Sequence, residues 1–173
     1  GLPLLLSSPA KLLMTFLQWI GDGYKAHDFI NIFSSGLFEF DEDREFGRMT
    51  LINCIKNSDL KWQRSTYLTT FEKSLESLTQ DKNRIESLGE DSRRVTERIA
   101  ATSWMLRFLK EEAFKLIPDT DDQGLIDVDE LLQGLKNLIN IRKRIFSALD
   151  GQGLTATLLE LKATIKGRKI PLV

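Results

Sequence analysis

A chain of 173 residues, 42% of them hydrophobic, is long enough to bury one core, and 28% charged residues suit a soluble globular surface. The formal charge of −1, from 24 basic and 25 acidic side chains, sets up no overall field toward nucleic acid or a membrane, so any such contact needs a local patch. Cys54 is the only cysteine, which excludes an internal disulfide and a cysteine-based zinc site and points to a reducing, cytoplasmic setting.

The N-terminal apolar run from Leu2 stops at Ser7, too short for a signal-peptide core or a membrane span. Ser8-Pro9 then reads as a helix start, because a serine hydroxyl can accept an orphan N–H and proline lacks the donor that position would waste. Leu12, Leu13, Phe16, Leu17 and Ile20 share one face at helical spacing, and residues 21–23 end the element. A second, shorter helix carries Phe29, Ile30, Ile32 and Phe33 and closes at Ser34-Ser35-Gly36. After an acidic stretch from Phe38 to Glu45, the residues Phe46, Met49, Ile52, Cys54 and Ile55 predict a third. Leu68, Phe71, Leu75 and Leu78 form a narrow apolar stripe on a fourth helix from Tyr67 to about Leu88, broken at Gly89. Val95, Ile99, Thr102, Leu106, Leu109 and Ala113 resume the stripe until Pro118 stops it, so the fourth and fifth helices are expected to form a long antiparallel hairpin. Leu131, Leu132, Leu135, Leu138, Ile139, Ile145 and Leu149 mark a sixth helix, and Leu154, Leu158, Leu159, Leu161 and Ile165 a seventh before Gly167. The expectation is an all-α domain of about seven helices in a single bundle or array, without a repeat of fixed period. Its start at Gly1 and its β-like end at Ile170-Pro171-Leu172-Val173 suggest a piece of a longer protein.

The sharpest local motif runs from Asp119 to Glu130 and resembles an EF-hand loop, with carboxylates at positions 1, 3 and 9, Gly124 at 6, Ile126 at 8 and Glu130 at 12. Gln123 at position 5 and Pro118 in the entering helix depart from that pattern, and Asp127 with Glu130 three residues on also spells an ordinary capping box. A calcium-responsive interaction module is therefore an alternative reading, and no metal or other cofactor is expected in the preferred one. Pro118-Asp119 and Glu160-Leu161-Lys162 supply the letters of a PD-(D/E)XK nuclease, but Glu160 and Lys162 lie in a helical run where i and i+2 do not share a face. There is no phosphate-binding G-x-x-x-x-G-K-[ST] loop. His27, beside Asp28, reads as an exposed or capping residue, Cys54 as core, and Trp19, Trp62 and Trp104 as packing residues. No catalytic residue is expected.

Charge is nevertheless uneven. From Lys136 onward Lys136, Arg142, Lys143, Arg144, Lys162, Lys166, Arg168 and Lys169 face only Asp150 and Glu160. Arg142, Lys143, Arg144, Lys166, Arg168 and Lys169 are the candidate contacts to nucleic-acid phosphate; the competing reading is a solvated face or an acidic neighbour such as the loop 119–130.

A longer pattern joins these pieces. Gly1-Leu2-Pro3-Leu4, Ser7-Ser8-Pro9, a helix ending Leu17-Gln18-Trp19-Ile20, and then residues 28–38 (Asp28-Phe29-Ile30-Asn31-Ile32-Phe33 through Phe38) resemble the middle of AddB-like ATP-dependent helicase/nuclease subunits. These are inactivated superfamily I helicases fused to a RecB-type PD-(D/E)XK nuclease. Lys61-Trp62-Gln63-Arg64, the stretch from Leu116-Ile117-Pro118 to Leu131-Leu132, and that from Leu149-Asp150 to Leu161 are similar to later segments of the family. The resemblance implies a helical insertion domain in a protein of DNA double-strand break processing, with the rest of the parent chain, duplex or single-stranded DNA and a helicase subunit as partners and no membrane. The family's nuclease and nucleotide residues fall outside this segment. A ligand-free helical adaptor is the blandest alternative.

With glutamine at a ligand position and proline breaking the entering helix, calorimetry at physiological calcium should show no binding. Micromolar affinity abolished by Glu130→Gln would promote the calcium-module reading.

Overall fold

The first helix buries Leu12, Leu13, Phe16, Trp19 and Ile20 on one face, as its 3.6-residue periodicity requires. The computed structural model describes residues 8–143, and the elements within them are helical: α1 Ser8–Gly21, α2 Ala26–Ser34, α3 Arg48–Asn57, α4 Tyr67–Ser87, α5 Arg93–Phe108 and α6 Val128–Arg142. A 3₁₀ turn, Arg64–Thr66, leads into α4, and α5 runs on through a π-turn, Leu109–Ala113, into Phe114–Leu116. Among the described residues there is no strand; Phe38 and Lys143 form an isolated antiparallel bridge.

One apolar cluster draws on all six helices. Its centre is aromatic: Trp19 stacks on Phe29 and Phe114 at 5.1 and 5.9 Å between centroids, and Trp104 stacks on Phe108 at 5.3 Å. Each fully buried side chain of this size contributes about 1.5–3 kcal/mol by leaving water. The polar edges are satisfied too: the Trp19 indole N–H donates to the Tyr67 hydroxyl at 2.7 Å, and that hydroxyl donates to the carbonyl of Tyr24. One chain of hydrogen bonds thus fastens α1, the turn after it and the start of α4.

The expected hairpin is present. α4 packs along α5, and of its own residues only Tyr67 and Phe71, in its first turns, are fully buried. At 21 residues the helix is about 31 Å long, so its polar remainder projects as an arm. Gly89, at φ +71°, takes the left-handed conformation that closes α4.

Three expectations need correction or limits. Six helices lie among the described residues, and the stripe from Leu154 to Ile165 expected as a seventh lies outside them. The sixth does not reach Leu149: Lys143 turns extended (φ −71°, ψ 143°), and the Arg142 carbonyl accepts the N–H of Glu39 at 2.7 Å, so the chain leaves helical geometry to pair with the 38–39 segment. Trp62, read as a packing residue, is 40% exposed.

Gly134 is where α6 crosses the end of α5. A Cβ there would stand 1.9 Å from the Leu116 carbonyl oxygen, so only glycine permits the approach. In an open helix Gly→Ala gains about 1 kcal/mol. Here the sign should reverse: Gly134→Ala is expected to cost about 1–3 kcal/mol, as overpacking against backbone does. Chemical denaturation of the variant checks this; a stabilised protein would refute the crossing.

Candidate functional site

The side chains with chemical potential fall into three groups. The first is centred on Arg142, the residue expected to reach phosphate. It is buried, at 6% exposure, and its guanidinium is held from several sides. Nε donates to Glu112 Oε1 at 2.6 Å, Nη2 pairs with Glu112 Oε2, and Nη1 donates to Asp41 Oδ1 and the Glu39 carbonyl, both at 3.2 Å. Phe38, Trp104 and Phe108 present ring faces to it at 5.5–5.8 Å. Burial opposes its charge, and the Glu112 and Asp41 carboxylates more than restore it. Glu112 is delivered by the π-turn, whose wider winding changes the direction of the α5 side chains at that point. Of the other expected phosphate contacts, Lys143 is half-buried, while Arg144, Lys166, Arg168 and Lys169 lie outside the described residues.

The second group is the loop 119–130. Asp121 Oδ1 accepts the backbone N–H groups of Gln123 and Leu125, both at 2.9 Å, and Asp127 Oδ1 accepts that of Glu130 at 2.9 Å as the N-cap of α6. Asp119 Oδ1 accepts the N–H of Thr120. These carboxylates shape the turn and start the helix, Asp127 supplying the N-cap half of the capping-box pattern. Next to the loop Arg64 closes the far end of α5: its guanidinium donates to the carbonyls of Phe114, Ile117 and Pro118 at 2.8, 2.7 and 3.2 Å and lies 4.6 Å from the Phe114 ring. Helix-terminal carbonyls that have no internal partner are satisfied this way.

The third group went unrecognised in the sequence. Gly23 (φ +76°) and Tyr24 (φ +65°) turn the chain sharply between α1 and α2. A positive φ is costly for tyrosine; the buried ring and the hydrogen bond accepted by its carbonyl hold it there. The turn brings Asp22, at the end of α1, against His27 and Asp28, in the first turn of α2. One donor atom from each lies within 4.8 Å of the others. His27 Nε2 is 3.2 Å from Asp28 Oδ1, and Gln18 Nε2 donates to Asp22 Oδ2 at 2.7 Å. Asp28 is 2% exposed, and its Oδ2 meets no donor among the described residues when both carboxylates are ionised. Burial, then a shared hydrogen bond and the charge of Asp22, push the Asp28 carboxyl up to about 6 against the pull of His27 and Lys25. Asp22 is held low, mainly by Gln18 and by that same hydrogen bond. The signal in the sequence was two acids six residues apart across a glycine turn, too common a pattern to read.

Cys54, expected in the core, is half-buried beside a groove between α3, α4 and α5 that Lys73, Ser74, Ser77 and Arg98 also line. Burial pushes its thiol up, against the opposing Thr102 hydroxyl and Arg98 charge, so it holds little thiolate at neutral pH. Among the described residues no helix is long and apolar enough to cross a membrane. Comparison with family models, curated proteins and solved structures gives no match.

The arginine network yields a prediction with two readouts. Arg142→Ala strands two carboxylates and should cost about 3–5 kcal/mol, whereas Arg142→Met combined with Glu112→Gln should recover much of it. Burial raises Asp41, but the Trp104 indole and the Arg142 guanidinium outweigh burial and hold it below its usual value. Its stabilisation is therefore complete above about pH 4 and lost as pH falls through the depressed value. Thermal melts across pH should show a shallower acid limb in Asp41→Asn.

Proposed function

We propose that this chain is a non-catalytic helical scaffold and interaction domain, working in a helicase-nuclease type protein of DNA double-strand break processing. The scaffold part is supported by one observation above all: the two best-placed arginines are committed to the fold. Arg142 binds Glu112 and Asp41, and Arg64 caps α5. The Trp19, Tyr67 and Trp104 polar atoms are likewise engaged inside the molecule. Polar groups used to fix helices against one another build a rigid platform rather than a reaction site. The α4–α5 arm, exposed along most of α4, is its natural docking surface for the rest of a parent chain or a partner subunit. The helicase-nuclease part rests on the resemblance of residues 1–38 and the segments after them to AddB-like subunits.

Direct contact with DNA is a second role within this reading, carried by the basic residues toward the C-terminus. With Arg142 inside the fold, the set that remains is Lys143, Arg144, Lys166, Arg168 and Lys169. Charges on flexible stems meet the phosphate backbone and not base edges, so such binding is weak, independent of sequence and steeply salt-dependent. Replacing Lys166, Arg168 and Lys169 by Gln leaves the arginine network intact. If all three meet phosphate, the slope of log affinity against log salt on duplex DNA should fall by about 2.7, that is about 0.9 for each contact. Unchanged affinity and slope would assign this charge to solvation or subunit docking and leave the scaffold role alone.

A further inference from the structure

Two carboxylates in contact, one of them buried, either share a proton or take positive charge between them. Among the described residues no lysine or arginine side chain supplies it: Lys25 is near enough to be felt by both carboxylates, but it is exposed and forms no ion pair with either. His27 supplies a nitrogen on the same side as both oxygens. We propose that Asp22, His27 and Asp28 form a binding site for a first-row divalent metal ion, of which Zn²⁺ is the best-fitting representative.

The geometry suits such an ion. A separation of 3.2 Å between His27 Nε2 and Asp28 Oδ1 is that of adjacent donors around a centre whose bonds are about 2.0–2.2 Å long. With both carboxylates ionised, the buried Asp28 Oδ2 accepts from no described donor, and the Gln18 amide fixes the Asp22 carboxylate from behind, as outer-shell partners of metal ligands do. His27 has 68% of its side chain exposed, so an ion can enter from solvent, and water can complete the coordination. Two carboxylates and one imidazole favour Zn²⁺ over Ca²⁺, which takes six to eight oxygen donors. Lys25 works against binding by its charge, so the affinity is expected to be moderate. An ion here would clamp the end of α1 to the first turn of α2, and the site stands or falls independently of the scaffold reading.

The test is calorimetric titration of the intact chain with Zn²⁺, Mn²⁺ and Ca²⁺, together with the visible spectrum of the Co²⁺ form. One equivalent of Zn²⁺ should bind, Mn²⁺ more weakly and Ca²⁺ not detectably. His27→Gln, a change at an exposed position, should weaken Zn²⁺ binding by about tenfold or more. Asp28→Asn should abolish it, and Asp121→Asn, in the exposed 119–130 loop, should leave it unchanged. If Asp28→Asn fails to fold by circular dichroism, Asp22→Asn takes its place with the same expected loss. The proposal is overturned if the native chain takes up no Zn²⁺, or if binding survives in His27→Gln and in the aspartate variant.

Discussion

The fold turns on a guanidinium that has been taken out of water. Arg142 ends α6, and around it converge the π-turn of α5 through Glu112, the 38–41 segment through Asp41 and the Glu39 carbonyl, and the faces of Phe38, Trp104 and Phe108. Removing such a charge from water costs several kcal/mol, and only partners placed on every side offset it. Arginine suits the position where lysine would not, because its planar fork can bond two carboxylates while its faces stack on rings. The cost also makes the arrangement specific. A slipped α6 or a differently wound α5 would leave the charge buried and unmet.

Arg64 does the complementary work at the other end of α5, gathering three carbonyls where the helix stops before Pro118. Between the two arginines, Gly134 lets α6 approach the Leu116 carbonyl so closely that backbone meets backbone. The Trp19 to Tyr67 to Tyr24 hydrogen-bond chain then ties α1 and α4 to the same region. The two arginines and the Trp19 to Tyr67 to Tyr24 chain commit their polar atoms to holding helices together. That is the physical content of reading the domain as a scaffold.

The turn between α1 and α2 has a different character. There the chain accepts a left-handed tyrosine and a buried Asp28 whose Oδ2, when ionised, meets no described donor, two local costs at one place. Arg142, by contrast, is buried with the Glu112 and Asp41 carboxylates to match its charge. A bound cation would remove the imbalance and stiffen the junction that sets the angle between α1 and α2.

Spacing alone determined much of this protein. The stripes of Leu12, Leu13, Phe16 and Ile20, of Phe29 and Phe33, and of Thr102, Leu106, Leu109 and Ala113 follow helical period, and each buries as predicted because a single helix face has one direction in which to hide from water. Gly89 and the Asp127 cap were legible for the same local reason: a turn or a cap is a matter of a few consecutive residues. Tertiary structure alone decided the rest. The sequence counts Arg142 as one more basic residue in a basic segment, and only the meeting of residues 41, 112 and 142 makes it a core residue. The stripe through Ile145 and Leu149 would extend α6, yet pairing with residues 38–39, a hundred positions away, turns the chain at Lys143. Asp22 and Asp28 likewise become a site only when a left-handed turn folds one helix end onto the next. Periodicity reports which side of an element is apolar. Charge pairing, helix termination by a distant extended segment and ligand geometry depend on which elements meet, and that is fixed by packing.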